Sequence, residues 1–303
     1  MELLPIKTRR IGQGDDLVKI IQEGMKELGI RSEELDIFVI SSKAVATAEG
    51  RIVDLASLTP SEEAKTLSKK CGRSPEFCEA VLAETKMRNG TVRGTCPGAI
   101  ISELKPWGSS PKSFSTRSST ASQSPAVSSL ARREQRTIIT ANAGLDESNT
   151  EKGTAVGWPE DPAKSAQMLR QKLANHTKVM SDKRLAASNG EKLIANRLPL
   201  IAVVITDSCV RPRRWGVVAF ALAVAGIDPL RDEAGREDLF GRKLRITKEA
   251  IADQLATAAN MLMGNANQSI PAVIIRDHGL TLSDFAGWVP GIEPEEDLFR
   301  EII

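Results

Sequence analysis

The sequence predicts a mixed α/β fold, and three observations carry that reading. Short runs rich in Ile and Val recur at 35–40, 137–140, 198–206, 217–224 and 271–276, the composition that buried strands require. Segments with apolar residues at helical spacing lie between them. The chain has 303 residues, 41% apolar and 26% charged, which suits a soluble globular protein with a sizeable core.

The first helix is expected over 14–28, where Leu17, Ile20, Ile21, Met25 and Leu28 share a face behind the capping residues Asp15 and Asp16. After the strand at 35–40, Thr59-Pro60-Ser61-Glu62-Glu63 announces a second helix by a cap followed by proline at the first helical position. The same signal returns after the strand at 137–140 as Asp161-Pro162, leading into a helix over 163–173. The strands at 198–206 and 217–224 come next. The longest helix is expected over 247–263, with Ile251, Leu255, Ala258, Ala259 and Leu262 on one face and Gly264 where a helix stops. A turn of small residues and amides, Gly264 to Gln268, leads to the last strand at 271–276.

Two segments stand outside this pattern. From Gly108 to Leu130 there are ten serines, two prolines and no acid, which reads as a mobile, permissive surface insertion. The polar stretch from His176 to Glu191 also reads as inserted. The expected organisation is one domain over 1–303 with a Ser-rich insertion at about 108–130 and a polar insertion at about 174–193.

Several function classes lose their basis. The 41 basic and 39 acidic residues leave +2, so no global field favours nucleic acid or an anionic membrane. Cys71, Cys78, Cys96 and Cys209 form no CxxC pair, and a chain of this size needs no disulfide staples, so a reducing compartment is expected. The start MELLPIKTRR lacks a long apolar h-region and the apolar run 216–227 is too short to span a bilayer, so the expected location is the cytoplasm. There is no P-loop, no H-E-x-x-H and no G-x-S-x-G. Of the two histidines, His176 lies in the polar insert and His278 follows the last strand; both read as surface residues.

What remains is acids and hydroxyls at strand ends. In ANAGLDESN, Ala141 to Asn149, a buried strand gives way to small residues and then to Asp146. Asn142, Asp146, Ser148 and Asn149 are turn formers, and Gly144 supplies a conformation that other residues resist. Alternatively, the strand end delivers an acid and an amide to a metal and a phosphate. Asp207-Ser208 follows the apolar run 201–206 in the same manner. Hard cations prefer such oxygen ligands, and two acids leaving buried strands can converge on a metal pair that neutralises phosphate charge. Arg211, Arg213 and Arg214 follow in VRPRRWG, where a planar fork suits carboxylate or phosphate; a solvated basic loop fits equally well.

Taken together, ISSKAVATAEGR, ANAGLDESN, GWPEDPAKSA, ITDSCVRPRRWG, AGIDPLRDEAGREDLFGRKLRITKEAIADQLATAA and MGNANQSIPAVIIRD resemble the coenzyme F420-0:gamma-glutamyl ligase family in order and spacing over most of the chain. The resemblance implies a family-specific α+β fold, an intertwined homodimer, and a GTP-dependent ligase that joins L-glutamate to coenzyme F420-0, a phospholactyl deazaflavin, by a gamma-linked amide bond through an acyl phosphate. It implies two divalent cations, manganese or magnesium, with potassium as a further candidate ion. Carried over by motif, Asp146 and Asp207 are the catalytic acids and metal ligands, Ser208 takes a threonine ligand position, and Asn265 takes the place of an acidic or amide ligand. Ser42, Lys43, Thr47, Asn149 and the turn Met263, Gly264, Asn265 and Ala266 fall where the family touches nucleotide.

The departures are specific. Thr47 stands where the family has lysine, with Lys43 as a substitute cation, and Asn265 is neutral. Val210 replaces a glycine and Arg213 an aromatic residue. These changes motivate two alternatives: a divergent paralogue that ligates an amine to another carboxylate, and a non-catalytic nucleotide-binding member.

Overall fold

The computed structural model describes residues 1–105, 137–187, 200–292 and 296–299; the Ser-rich insertion and the end of the polar one lie outside the described residues. The elements are β1 (Glu2–Ile6), α1 (Leu17–Glu27), β2 (Ile37–Ser41), α2 (Ser42–Ala48), β3 (Ile52–Asp54), α3 (Glu62–Cys71), α4 (Pro75–Met87), β4 (Thr91–Cys96), β5 (Ala99–Leu104), β6 (Ile138–Ala141), β7 (Thr154–Val156), α5 (Pro162–Ala187), β8 (Ala202–Val210), β9 (Val217–Ala225), β10 (Arg231–Asp232), β11 (Lys248–Glu249), α6 (Ile251–Met263), β12 (Ala272–Arg276) and β13 (Ala286–Trp288). The mixed α/β class is observed. The chain divides into two compact units, residues 1–50 with 159–289 and residues 51–158 with 290–303.

The first unit holds a six-stranded sheet in the order β1-β12-β2-β8-β9-β13, antiparallel throughout except for the parallel pair β2 and β8. On one face Val39, Val204, Ala221 and Val273 pack against Ile251, Leu255 and Ala259 of α6. The alternate residues Phe38, Ile40, Val203, Ile205 and Ile274 are also fully buried. Burial on both faces explains why these strands read as unbroken apolar runs rather than as alternating ones. Deep in the same unit, the buried Asp36 accepts from Arg276 Nε at 2.8 Å and from Nη2 at 2.9 Å.

The start signals hold where a side chain reaches the orphan amides of the first turn. Asp16 Oδ1 accepts from Val18 and Lys19 at the start of α1, and Asp161 Oδ1 from Ala163 and Lys164 at the start of α5. Asp15 instead pairs with Arg9. Two boundaries differ from expectation. Helix α5 continues past Leu173 to Ala187, through most of the stretch read as an insertion, because its Lys, Arg, Met and Ala content favours helix. Strand β8 continues past Thr206 to Val210, so Asp207 and Ser208 lie inside a strand rather than after one.

Between Ile205 and Thr206 the β8–β9 register shifts. Helix α6 takes up backbone groups beside this bulge: Ala221 N–H donates to Asp253 Oδ1 at 2.9 Å, and Thr257 Oγ1 donates to the Ala219 carbonyl at 2.9 Å.

The second unit packs α3 and α4 with the antiparallel sheet β4-β5-β6, beside the two-stranded β3-β7. Ser61, not Thr59, caps α3, its Oγ accepting from Ala64 N–H at 3.2 Å. Helix α4 carries the same cap-and-proline signal, Ser74-Pro75, which the sequence reading passed over. At the centre, Glu84 accepts from Arg51 Nη2 at 2.8 Å and from Arg88 Nε at 2.6 Å, and the Arg88 guanidinium lies over the buried Trp158 ring. Among the described residues no helix is long and apolar enough to cross a membrane.

Candidate active site

In the first unit the sheet register gathers most of the expected nucleotide and metal residues at one end. Ser41, the last residue of β2, lies opposite Thr206 of β8, and its N–H donates to the Pro271 carbonyl at 2.9 Å just before β12. Ser42 and Lys43 at the start of α2, Asp207 and Ser208 on β8, and the turn between α6 and β12 therefore share one sheet end. It is the carboxyl end of the parallel pair, where open α/β sheets most often hold ligands.

Asp207 lies opposite Phe220 and Ser208 opposite Ala219, so the two consecutive side chains leave the strand on opposite faces. Ser208 N–H donates to Asp207 Oδ1 at 2.8 Å. Ser42 is buried. Lys43 and Thr47 are four residues apart on α2 and so lie on the same helix face, a spacing that brings Cβ atoms within about 6 Å.

Helix α6 ends at Met263, which is buried, and Gly264 follows with φ 66°. The space beside Gly264 is filled by the Gln268 side chain, whose Oε1 accepts from Ala266 N–H at 2.9 Å. Gln268 was not singled out in the sequence, although its place in a turn of amides is the available signal. Asn265 and Ala266 are exposed.

Asp146 and Asn149 belong to the second unit. Asn142, Ala143 and Gly144 take φ of 54°, 53° and 79°, three left-handed residues in succession. A Cβ on Gly144 would meet the Trp158 ring at 2.5 Å, which accounts for glycine there. Asn142 Oδ1 accepts from Ile100 N–H at 2.9 Å, tying the turn to β5. Strain of this kind is stored where the surrounding structure over-determines it. The exposed Asp146 then exchanges backbone hydrogen bonds with Val156, and its carboxylate accepts from Ser148 N–H at 2.8 Å and Oγ at 2.6 Å. The turn-former reading of these residues is thus observed. Asn149 has φ 55° and is exposed.

The donors fit a hard cation in kind, being carboxylate, hydroxyl and amide oxygens. Among the described residues no three His, Cys, Asp or Glu side chains form a metal-holding group. A cleft lined by Asp15, Asp16, Val45, Glu49, Ser165 and Lys172 lies toward the far end of α2 from Ser42, and it contains none of the expected site residues. Glu49 there accepts a hydrogen bond from Ser165.

Around α6 and the outer part of β8, burial sets the acid–base behaviour. It pushes Asp253 up, partly offset by the Ala221 amide and Arg211. It pushes the Cys209 thiol up as well, with the Asp253 charge adding to the effect.

The model of the F420-0:Gamma-glutamyl ligase family matches residues 5–182 and 183–277. The Coenzyme F420:L-glutamate ligase of Methanothermobacter thermautotrophicus is 34% identical over 96% of this chain and 94% of its own. The protein of the same name from Methanopyrus kandleri is 32% identical over 99% and 97%, and that of Methanocaldococcus jannaschii 33% identical over 88% and 86%. With the family model matched over residues 5–277 and these relatives at least 32% identical over 86% or more of their own length, the chain belongs to the F420-0:gamma-glutamyl ligase family.

Proposed function

We propose that the protein is a GTP-dependent ligase that adds L-glutamate to coenzyme F420-0 by a gamma-linked amide bond. The observation that carries the proposal is the gathering of Ser42, Lys43, Asp207, Ser208 and the 263–266 turn at the carboxyl end of the β2–β8 pair in a member of this family. Ser42, Lys43 and Thr47 with the 263–266 backbone bind the nucleotide. Asp207, Ser208 and Asn265 would hold divalent cations, manganese or magnesium, whose charge would stabilise the phosphoryl oxygens during transfer. Lys43, one turn before Thr47 on the same helix face, supplies the cation that position 47 lacks.

In the reaction an oxygen of the acceptor carboxylate attacks the γ-phosphorus of GTP, and GDP leaves as the acyl phosphate forms. The amine of L-glutamate then attacks the acyl carbon, phosphate departs and the nitrogen gives up a proton, leaving the amide. Lys43 counters charge on the phosphates, and Ser42 orients them by hydrogen bonding.

The functional form is a homodimer in the cytoplasm. Leu239, Phe240 and Ile246, between β10 and β11, are 100%, 86% and 89% exposed, more apolar surface than a solvated hairpin needs. A second reading keeps the fold and nucleotide but changes the acceptor: Val210 is 67% exposed and Arg213 takes φ 55° at the tip of the β8–β9 hairpin.

The deciding experiment is mass spectrometry of a reaction with F420-0, L-glutamate, GTP and manganese. A product one glutamyl unit heavier, absent with Asp207→Asn, is expected. GTP turnover only with a different carboxylic acid would replace this reading by the second, and tight GTP binding with no turnover would refute both. Sedimentation at two protein concentrations checks the dimer.

A further inference from the structure

Helix α3 ends at Cys71, Gly72 follows with φ 75°, and Ser74 caps α4 by accepting from Phe77 N–H at 3.1 Å. This tight reversal returns Cys78, in the first turns of α4, onto Cys71. The two sulfurs are 3.8 Å apart, both residues are buried, and both are free thiols. A disulfide needs sulfurs at about 2.05 Å, so the two thiols are already neighbours and have less than about 2 Å left to close. The Cys71 carbonyl also accepts from Gly98 N–H at 2.7 Å, which fixes the end of α3 against the β4–β5 turn.

The turn between these cysteines carries Arg73. Its guanidinium lies 4.1 Å from the centroid of the Phe77 ring and pairs with Glu147, the neighbour of Asp146. All of these residues belong to the second unit.

We infer that Cys71 and Cys78 are a disulfide-forming site, and that the bridge tightens the turn from which Arg73 holds the Asp146 loop. The oxidant is a low-molecular-weight disulfide. Cys71, the slightly more exposed of the two, loses its proton and attacks one sulfur; the small disulfide breaks and one thiolate leaves, taking up a proton. Cys78 then loses its proton and attacks the Cys71 sulfur, expelling the second small thiol. Two protein thiols become one disulfide, and two electrons pass to the small molecule. Burial pushes the Cys78 thiol up to about 12, so Cys71 rather than Cys78 makes the first attack.

The inference stands apart from the ligase reading and is tested without it. The intact protein is equilibrated with oxidised glutathione and acid-quenched, and free thiols are alkylated under denaturing conditions. The expected result is a loss of two thiols, a mass lower by about 2 Da and a Cys71–Cys78 cross-linked peptide, all retained in Cys96→Ser and Cys209→Ser. Amide hydrogen exchange over residues 146–149 is expected to slow several-fold in the bridged form. Recovery of all four thiols, or a bridge to Cys96 instead, overturns the pairing. Unchanged exchange in the bridged protein overturns the coupling to the Asp146 loop.

Discussion

Replacing Gly144 by alanine adds one methyl group at a position with φ 79°, where it would lie 2.5 Å from the Trp158 ring. The left-handed backbone alone costs an alanine about 1–2 kcal/mol. The ring cannot yield easily, because Trp158 is 1% exposed, has Arg88 over its face and accepts from Arg51 at its carbonyl. Overpacking of that kind adds about 1–3 kcal/mol, for a total loss of about 2–5 kcal/mol. Gly153 provides the control: its φ is 83°, but nothing lies within 4 Å of an added Cβ. Gly153→Ala therefore carries the backbone cost alone, about 1–2 kcal/mol. Urea unfolding followed by circular dichroism measures both, with hydrogen exchange at β6 reporting the second unit. Equal losses in the two variants would refute the argument that the Trp158 ring requires glycine.

Three further outcomes are expected. Glu84→Gln leaves the 1%-exposed Arg88 side chain facing a neutral amide and should cost about 3–5 kcal/mol by urea unfolding; a loss below about 1 kcal/mol would count against a structural role for the pair. The hydrogen bond from Arg9, helped by that from Gly12 N–H, holds the Asp15 carboxyl at about 2. Its contribution to stability is therefore present above the ordinary carboxylate value and lost as pH falls through about 2; NMR titration should find that midpoint, and Arg9→Gln should raise it. Burial raises Asp253, so the proton-linked stability it contributes is present below the ordinary carboxylate value and lost as pH rises through the raised one. Asp253→Asn keeps an acceptor for Ala221 N–H and should be at least as stable as the native protein at neutral pH, its advantage shrinking in acid. A neutral-pH loss would mean that the charge itself is needed.

Legibility in the sequence followed the local physics. The runs at 35–40, 217–224 and 271–276 became β2, β9 and β12 because strands buried on both faces must be apolar throughout. Asp16 and Asp161 were readable as caps because their reach is two or three residues. Ser61 displaced Thr59 through a partner eighteen residues on: the Glu79 carboxylate accepts from its N–H at 2.8 Å and its hydroxyl at 2.6 Å. The β4–β5 hairpin escaped notice because Thr91–Cys96 is mostly polar and draws support from the neighbouring strand rather than from its own pattern. Motifs named the candidate residues, but only the parallel pairing of β2 with β8 brought Ser42 beside Asp207 across more than 160 positions. The bulge that turns Ala221 N–H toward Asp253 has no sequence signal at all.

The order in which the strands appear along the chain has a consequence for synthesis. Residues 51–158 form the bulk of the second unit, with β3 and β7 pairing Ile52 with Val156 across the two ends of that segment. A ribosome emits all of it before β8 exists, so this segment can acquire its core while β1 and β2 still wait for their neighbours. The large sheet is different: β1 pairs with β12, Glu2 with Arg276, and closes only after Arg276 has emerged. Contacts so distant in sequence are slow to form, and the apolar edges of β2 stand open to aggregation from its own emergence until β8 and β12 arrive to cover them.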